Sequence, residues 1–122
     1  MGLPVDFDSI SRGLGAAWGF FFQALREDNQ LFSSDVAIRR MWIDFYVVAL
    51  KDAKVSEDPN VLQERAEAVY QEYVGLERWL PFPEVEDTLM RLREKGYVQG
   101  VISDWGSNLL PILHSLGLTK YL

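Results

Sequence analysis

Apolar positions recur with a helical period along most of the chain. Ile10, Leu14, Ala17, Phe21 and Leu25 follow one face of a helix expected from about Asp8 to Arg26, and Phe20 and Phe22 widen that face. Gly13 and Gly15 weaken it, at roughly 1 kcal/mol each against Ala. A second helix is capped by Ser33 or Ser34, whose hydroxyl accepts from a free first-turn amide. Ile38, Met41, Trp42, Phe45, Tyr46 and Ala49 then form its stripe. A third starts near Asp58-Pro59-Asn60, carries Leu62, Ala66, Val69 and Tyr73 on one face, and stops at Gly75. These three faces predict an antiparallel bundle around Phe21, Trp42, Phe45, Val69 and Tyr73.

The pattern changes after Trp79-Leu80-Pro81-Phe82-Pro83, a connector stiffened by two prolines. A fourth helix is expected from about Pro83. Acidic Glu84, Glu86 and Asp87 sit in its first turns, Val85, Leu89 and Leu92 on its face, and Lys95-Gly96 at its end. Tyr97 to Ser103 holds Val98, Val101 and Ile102 between turn signals and predicts a buried parallel strand. A fifth helix spans about Asn108 to Leu116, with Ser107 as its cap, Pro111 in its first turn and Gly117 as its stop. The connector therefore reads as a boundary between a helix-only half and a helix-strand-helix half.

Charge and composition exclude several functions. The 122 residues carry a formal net charge of −6 and no basic stripe, which argues against nucleic-acid binding. No cysteine is present, so disulfides, thiolate metal sites and thiol catalysis drop out together, as a cytoplasmic location permits. Neither a signal peptide nor a membrane span is expected. A phosphorylated substrate stays possible, because backbone amides bind phosphate in acidic proteins. His114 is the sole histidine, and with no partner of its kind a solvated helix position is its better reading.

One stretch carries candidate chemistry. In Val101-Ile102-Ser103-Asp104-Trp105-Gly106-Ser107, a hydroxyl closes the expected strand, a glycine-containing loop follows and a capped helix begins. Ligands of open α/β sheets bind beyond the carboxyl ends of strands. There a hydroxyl beside loop amides and a helix N-terminus suits a phosphate oxygen. Many such junctions use Ser only to satisfy loop backbone groups, and the pattern alone favours that plainer role.

The stretch from Trp79 to Leu122 resembles the second-motif region of haloacid dehalogenase-type (HAD) hydrolases. The resemblance runs through Thr88-Leu89-Met90-Arg91-Leu92-Arg93, Lys95-Gly96-Tyr97, Val101 to Trp105 and Leu113-His114-Ser115-Leu116-Gly117-Leu118. Gly2-Leu3-Pro4-Val5-Asp6, Trp42 and Ala66 to Tyr73 resemble the helical cap of one subgroup. The resemblance implies that Ser103 hydrogen-bonds a transferring phosphoryl group. The next position is often Asn in the family and is Asp104 here; an amide donates, whereas an ionised carboxylate only accepts.

The family's nucleophile is the first Asp of a DxDxT sequence ending an apolar strand. Asp6-Phe7-Asp8-Ser9-Ile10 has the DxD spacing, which makes Asp6 and Asp8 candidates. Yet Ile10 occupies the Thr position, and Met1 to Val5 is short and holds Gly2 and Pro4. Capping of the first helix by Asp6 or Asp8 is the favoured reading. The later Lys and acidic pair of the family have no counterpart, so no metal ligand is assigned. Mg²⁺ belongs to the complete family enzyme and is not expected to bind this chain tightly.

The expected fold is thus an α/β, HAD-like fragment, predominantly helical: a helical cap bundle over residues 3–78 and one αβα unit of a Rossmann-like core over residues 79–122. The expected activity is that of a phosphatase-type hydrolase of a small phosphorylated metabolite, acting through an aspartyl nucleophile absent from this chain. The alternative is a non-catalytic helical interaction module or inactive fragment. Either way, the unpartnered strand is an edge through which copies would self-associate.

Overall fold

A computed structural model describes residues Val5 to Leu122. It holds five α-helices: α1 Phe7–Glu27, α2 Asp35–Asp52, α3 Pro59–Val74, α4 Val85–Glu94 and α5 Leu109–Ser115. Two 3₁₀ turns, Leu76–Arg78 and Thr119–Tyr121, complete the regular structure. The chain divides into two compact units, one up to Tyr73 and the other Val74–Leu122. None of the described helices is long and apolar enough to cross a membrane.

Local chemistry sets the helix ends. Asp6 caps α1, its Oδ1 accepting from the Ser9 amide at 2.7 Å. Ser34 caps α2 by accepting from the Ala37 amide at 3.2 Å. Asp58 opens α3, accepting from the Asn60 amide at 2.8 Å, with Pro59 as the first helical residue. Helix α2 ends in a Schellman motif: the Lys54 amide donates to Lys51 O and the Val55 amide to Leu50 O, each at 3.0 Å. Lys54 occupies its left-handed position with φ 59°, where a side chain is crowded. The same motif ends α4 at Gly96 and α5 at Gly117, both glycines that the sequence marks as stops.

In the first unit α1 and α2 pack through two kinds of contact. Around Gly13 the backbones nearly touch: a Cβ built there would overlap the carbonyl oxygen of Ala49 and stand 3.2 Å from the Ala53 Cβ. Further along, larger residues interlock. Ala17, Phe21, Met41, Phe45 and Ala49 form the core, with Phe32, Trp42 and Tyr46 against it. Trp42 stacks on Phe21 at 5.8 Å between centroids and reaches Tyr73 of α3 at the same distance. Helix α3 buries Leu62 and Ala66, and its Glu67 pairs with Arg39 at 3.6 Å. Of the predicted α1 face, Ala17 and Phe21 are buried, while Ile10, Leu14 and Leu25 remain exposed.

The second unit departs from expectation. No strand and no sheet form among the described residues, so the αβα Rossmann-like unit is not present. Tyr97 to Ser103 is unpaired chain, and Val98, Val101 and Ile102 are exposed. The physical reason is that a strand exists only by exchanging backbone hydrogen bonds with another strand, and this run has none to pair with. Its residue type favoured a strand; the pairing that makes one was missing. Only Ile112 and Leu118 are buried in this unit. Polar contacts hold it instead: Gln99 Nε2 donates to Leu89 O at 2.9 Å and Tyr121 O at 3.1 Å, and Arg93 Nη1 donates to Lys120 O at 2.6 Å.

Two substitutions test these packing rules by urea denaturation. Gly13→Ala must force α1 and α2 apart and is expected to cost about 1–3 kcal/mol. Lys54→Gly relieves a left-handed backbone and is expected to add about 0.5–1 kcal/mol. A neutral Gly13→Ala would mean that the helices do not approach as described.

Candidate functional site

The candidate phosphate loop, residues 103–108, links the unpaired run to α5. Ser103 and Asp104 are both exposed. Ser103 Oγ accepts a hydrogen bond from the Trp105 amide at 3.1 Å, closing a tight local turn. That hydroxyl keeps its own hydrogen and a lone pair for a further partner. Trp105 is half-buried and packs edge-on against Trp79, with centroids 5.0 Å apart. The indole pair braces the loop against the segment that follows the first 3₁₀ turn, and α5 packs on that turn as well.

The start of α5 differs from the predicted arrangement. Asn108, not Ser107, is the residue preceding the helix, and its side chain makes no capping bond. Asn108 Nδ2 is buried without a hydrogen-bond partner, and Gln99 Oε1 is in the same condition. The sequence places Asn108 inside the helix with Ser107 as its cap; the observed helix starts one residue later, at Leu109. The loop therefore ends on a buried amide nitrogen that donates to nothing among the described residues.

The remaining candidates lie in the first unit. Asp6 is the α1 cap, and the amide of Ser9 holds its carboxyl below the usual carboxylate range. Asp8 sits in the first turn of α1. Gly2 to Pro4, part of the cap resemblance and of the span preceding Asp6, lie outside the described residues. Among the described residues no group of three or more His, Asp or Glu side chains could hold a metal ion.

One electrostatic feature was not anticipated. Glu86 Oε1 receives hydrogen bonds from Lys120 Nζ at 2.8 Å and the Tyr121 hydroxyl at 2.9 Å. These two donors, Lys120 first, hold the Glu86 carboxyl below its ordinary range, and Glu86 holds the Lys120 ammonium above its own. The latch ties the C-terminal 3₁₀ turn to α4. A separation of 34 residues hides such a pair from sequence periodicity. In the first unit, burial and then the neighbouring Tyr73 and Tyr70 push the Tyr46 phenol up to about 12.

What fold and loop define together is a chain of two helical units, one bundled around aromatic rings and one presenting a braced hydroxyl loop. Comparison with known proteins adds one similarity. The chain is 28% identical, over 125 aligned positions, to human haloacid dehalogenase-like hydrolase domain-containing protein 3. The alignment takes in 98% of this chain and 47% of that protein, so the chain spans about half the length of the curated relative it matches. No family profile matches the chain. No solved structure matches it either.

The latch predicts a flat pH window. Glu86 has a lowered folded pKa, so its contribution is present above the ordinary value of 4.5 and lost as pH falls through the lowered one. Lys120 has a raised folded pKa, so its contribution is complete below 10.5 and lost as pH rises through the raised one. Side-chain NMR signals of Glu86 should hold steady from pH 4.5 through neutral pH and shift only as pH falls below that limit. A shift centred near neutral pH would contradict the latch.

Proposed function

We propose that the chain is part of a HAD-type hydrolase of phosphatase type, acting on a small phosphorylated metabolite. The observation that carries this reading is the similarity to a HAD-like hydrolase domain-containing protein along 98% of the chain. In this reading the bundle over residues 3–78 is the cap, and Ser103 is the donor to a phosphoryl oxygen. The exposed hydroxyl with a free hydrogen, held by the Trp105 amide, supports that role. Asp104 adds negative charge beside it and does not favour an anion, so its part is to accept from the loop or from a substrate hydroxyl.

Catalysis by this reading needs a carboxylate nucleophile that attacks phosphorus, displaces the alcohol and is released by water. Asp6 is engaged as a helix cap, and no other aspartate of the chain has the sequence setting of that nucleophile. In this reading Ser103 binds and positions the phosphoryl group, and the nucleophile is not among the residues assigned. The reading as a helical interaction module is favoured by a different observation, the all-helical architecture with exposed apolar residues in both units.

An assay of the purified 122-residue chain with an aryl phosphate and Mg²⁺ is expected to give no turnover above a mock purification. Turnover that disappears in Asp6→Asn would overturn this assignment and make Asp6 the nucleophile. Binding of inorganic phosphate, followed by the amide signals of residues 103–108, is expected to weaken in Ser103→Ala. Unchanged signals in the parent chain would favour the interaction module.

A further inference from the structure

Helix α1 carries more apolar surface than α2 and α3 cover. Ile10, Leu14, Trp18 and Phe22 follow each other at four-residue steps, with Phe7 and Leu25 alongside, and all six are between 39 and 81% exposed. At 3.6 residues per turn they form one stripe running the length of the helix. Gly15 and Gly19 flank it and have no neighbouring atom within 4 Å of a built Cβ. They lower the surface beside the rings, at a cost in helix stability that nothing inside the chain returns.

We propose that this stripe is the interface of a homodimer in which two α1 helices pack antiparallel about a two-fold axis near residues 16 and 17. Three features point to a second copy. First, the stripe is self-complementary under that reversal: Phe7 meets Leu25 of the partner, Ile10 meets Phe22 and Leu14 meets Trp18. Beside Ile10 and Leu14 lies an apolar groove of about 210 Å³, also lined by Tyr46, Ala49, Leu50 and Val69, into which the partner's Phe22 ring would seat.

Second, the charges match. Asp8 and Arg26 are 26 − 8 = 18 residues apart, five full turns, so they stand on the same flank at opposite ends of the stripe. Antiparallel pairing sets each Asp8 against the partner's Arg26, giving two rim ion pairs per dimer. Parallel two-fold pairing would put these residues of the two copies on opposite flanks and form neither pair.

Third, the area suffices. The six fractional exposures amount to about three full side chains, roughly 600 Å² per copy at about 200 Å² for a large apolar residue. Two copies reach roughly 1,200 Å², the lower edge of stable protein interfaces.

Sedimentation equilibrium of the full chain tests the pairing. The mass should rise with concentration towards twice 14.0 kDa. Phe22→Glu, at an exposed position, should give monomer throughout, with the far-ultraviolet circular dichroism unchanged. Asp8→Arg and Arg26→Asp should each weaken the dimer by about tenfold, because two rim pairs become repulsive. The double exchange should restore the affinity, a result that misfolding cannot mimic. A chain that stays at 14.0 kDa up to its solubility limit would overturn the proposal. So would a dimer that survives Phe22→Glu and is lost in Val98→Lys with Ile102→Lys, since the unpaired run would then be the interface. Failure of the double exchange to restore affinity would overturn the antiparallel register.

Discussion

A glycine without a side chain sets the distance between α1 and α2. At Gly13 the α1 backbone lies against the Ala49 carbonyl, and Ala17 and Ala53 keep that end of the contact equally thin. Because the helices meet so closely there, Phe21, Trp42 and Phe45 are brought within ring-contact range further along. Each well-placed aromatic pair adds about 0.5–1.5 kcal/mol beyond the area it buries. The close contact sets the geometry and the rings supply the cohesion. The third helix then meets Trp42 through Tyr73.

The second unit is held by a different principle. It buries only two hydrophobic residues, and its cohesion comes from side chains that satisfy backbone carbonyls or one another. Gln99 is the centre of this arrangement, bridging the middle of α4 and the C-terminal turn with its side-chain amide. Its other amide atom, and the amide of Asn108, remain buried without partners, which is costly in a low-dielectric setting. A unit with so thin a core and so much exposed apolar chain is expected at the low end of local stability.

Helices were legible in the sequence wherever period and punctuation agreed. The Ser34 cap, Pro59 at the first turn of α3 and the stops at Gly96 and Gly117 all follow from local rules that act within a few residues. Long-range facts were not legible. Lys54 in a left-handed position carries no signal, since its neighbours are those of any helix end. Val98, Val101 and Ile102 have the right residue types for a strand, yet a strand is a property of a pair, and propensity cannot report the missing partner. The glutamine interrupting that apolar run was the available hint that the segment makes side-chain, not ladder, hydrogen bonds. At the candidate site, the Ser103 turn was readable from its hydroxyl and glycine. The Glu86 latch and the buried Asn108 amide depend on contacts between distant positions and were not.

Amide hydrogen exchange on a dilute, monomeric sample tests the division between a tightly packed bundle and an unpaired run most directly. Amides from Ala17 to Phe21 and from Met41 to Ala49 should exchange slowly, close to the rate set by global unfolding. Those of Val98 to Ser103 should exchange almost as fast as in an unstructured peptide. Strong, uniform protection from Val98 to Ser103 in a monomer would mean that the run pairs within the chain, and would contradict the architecture described.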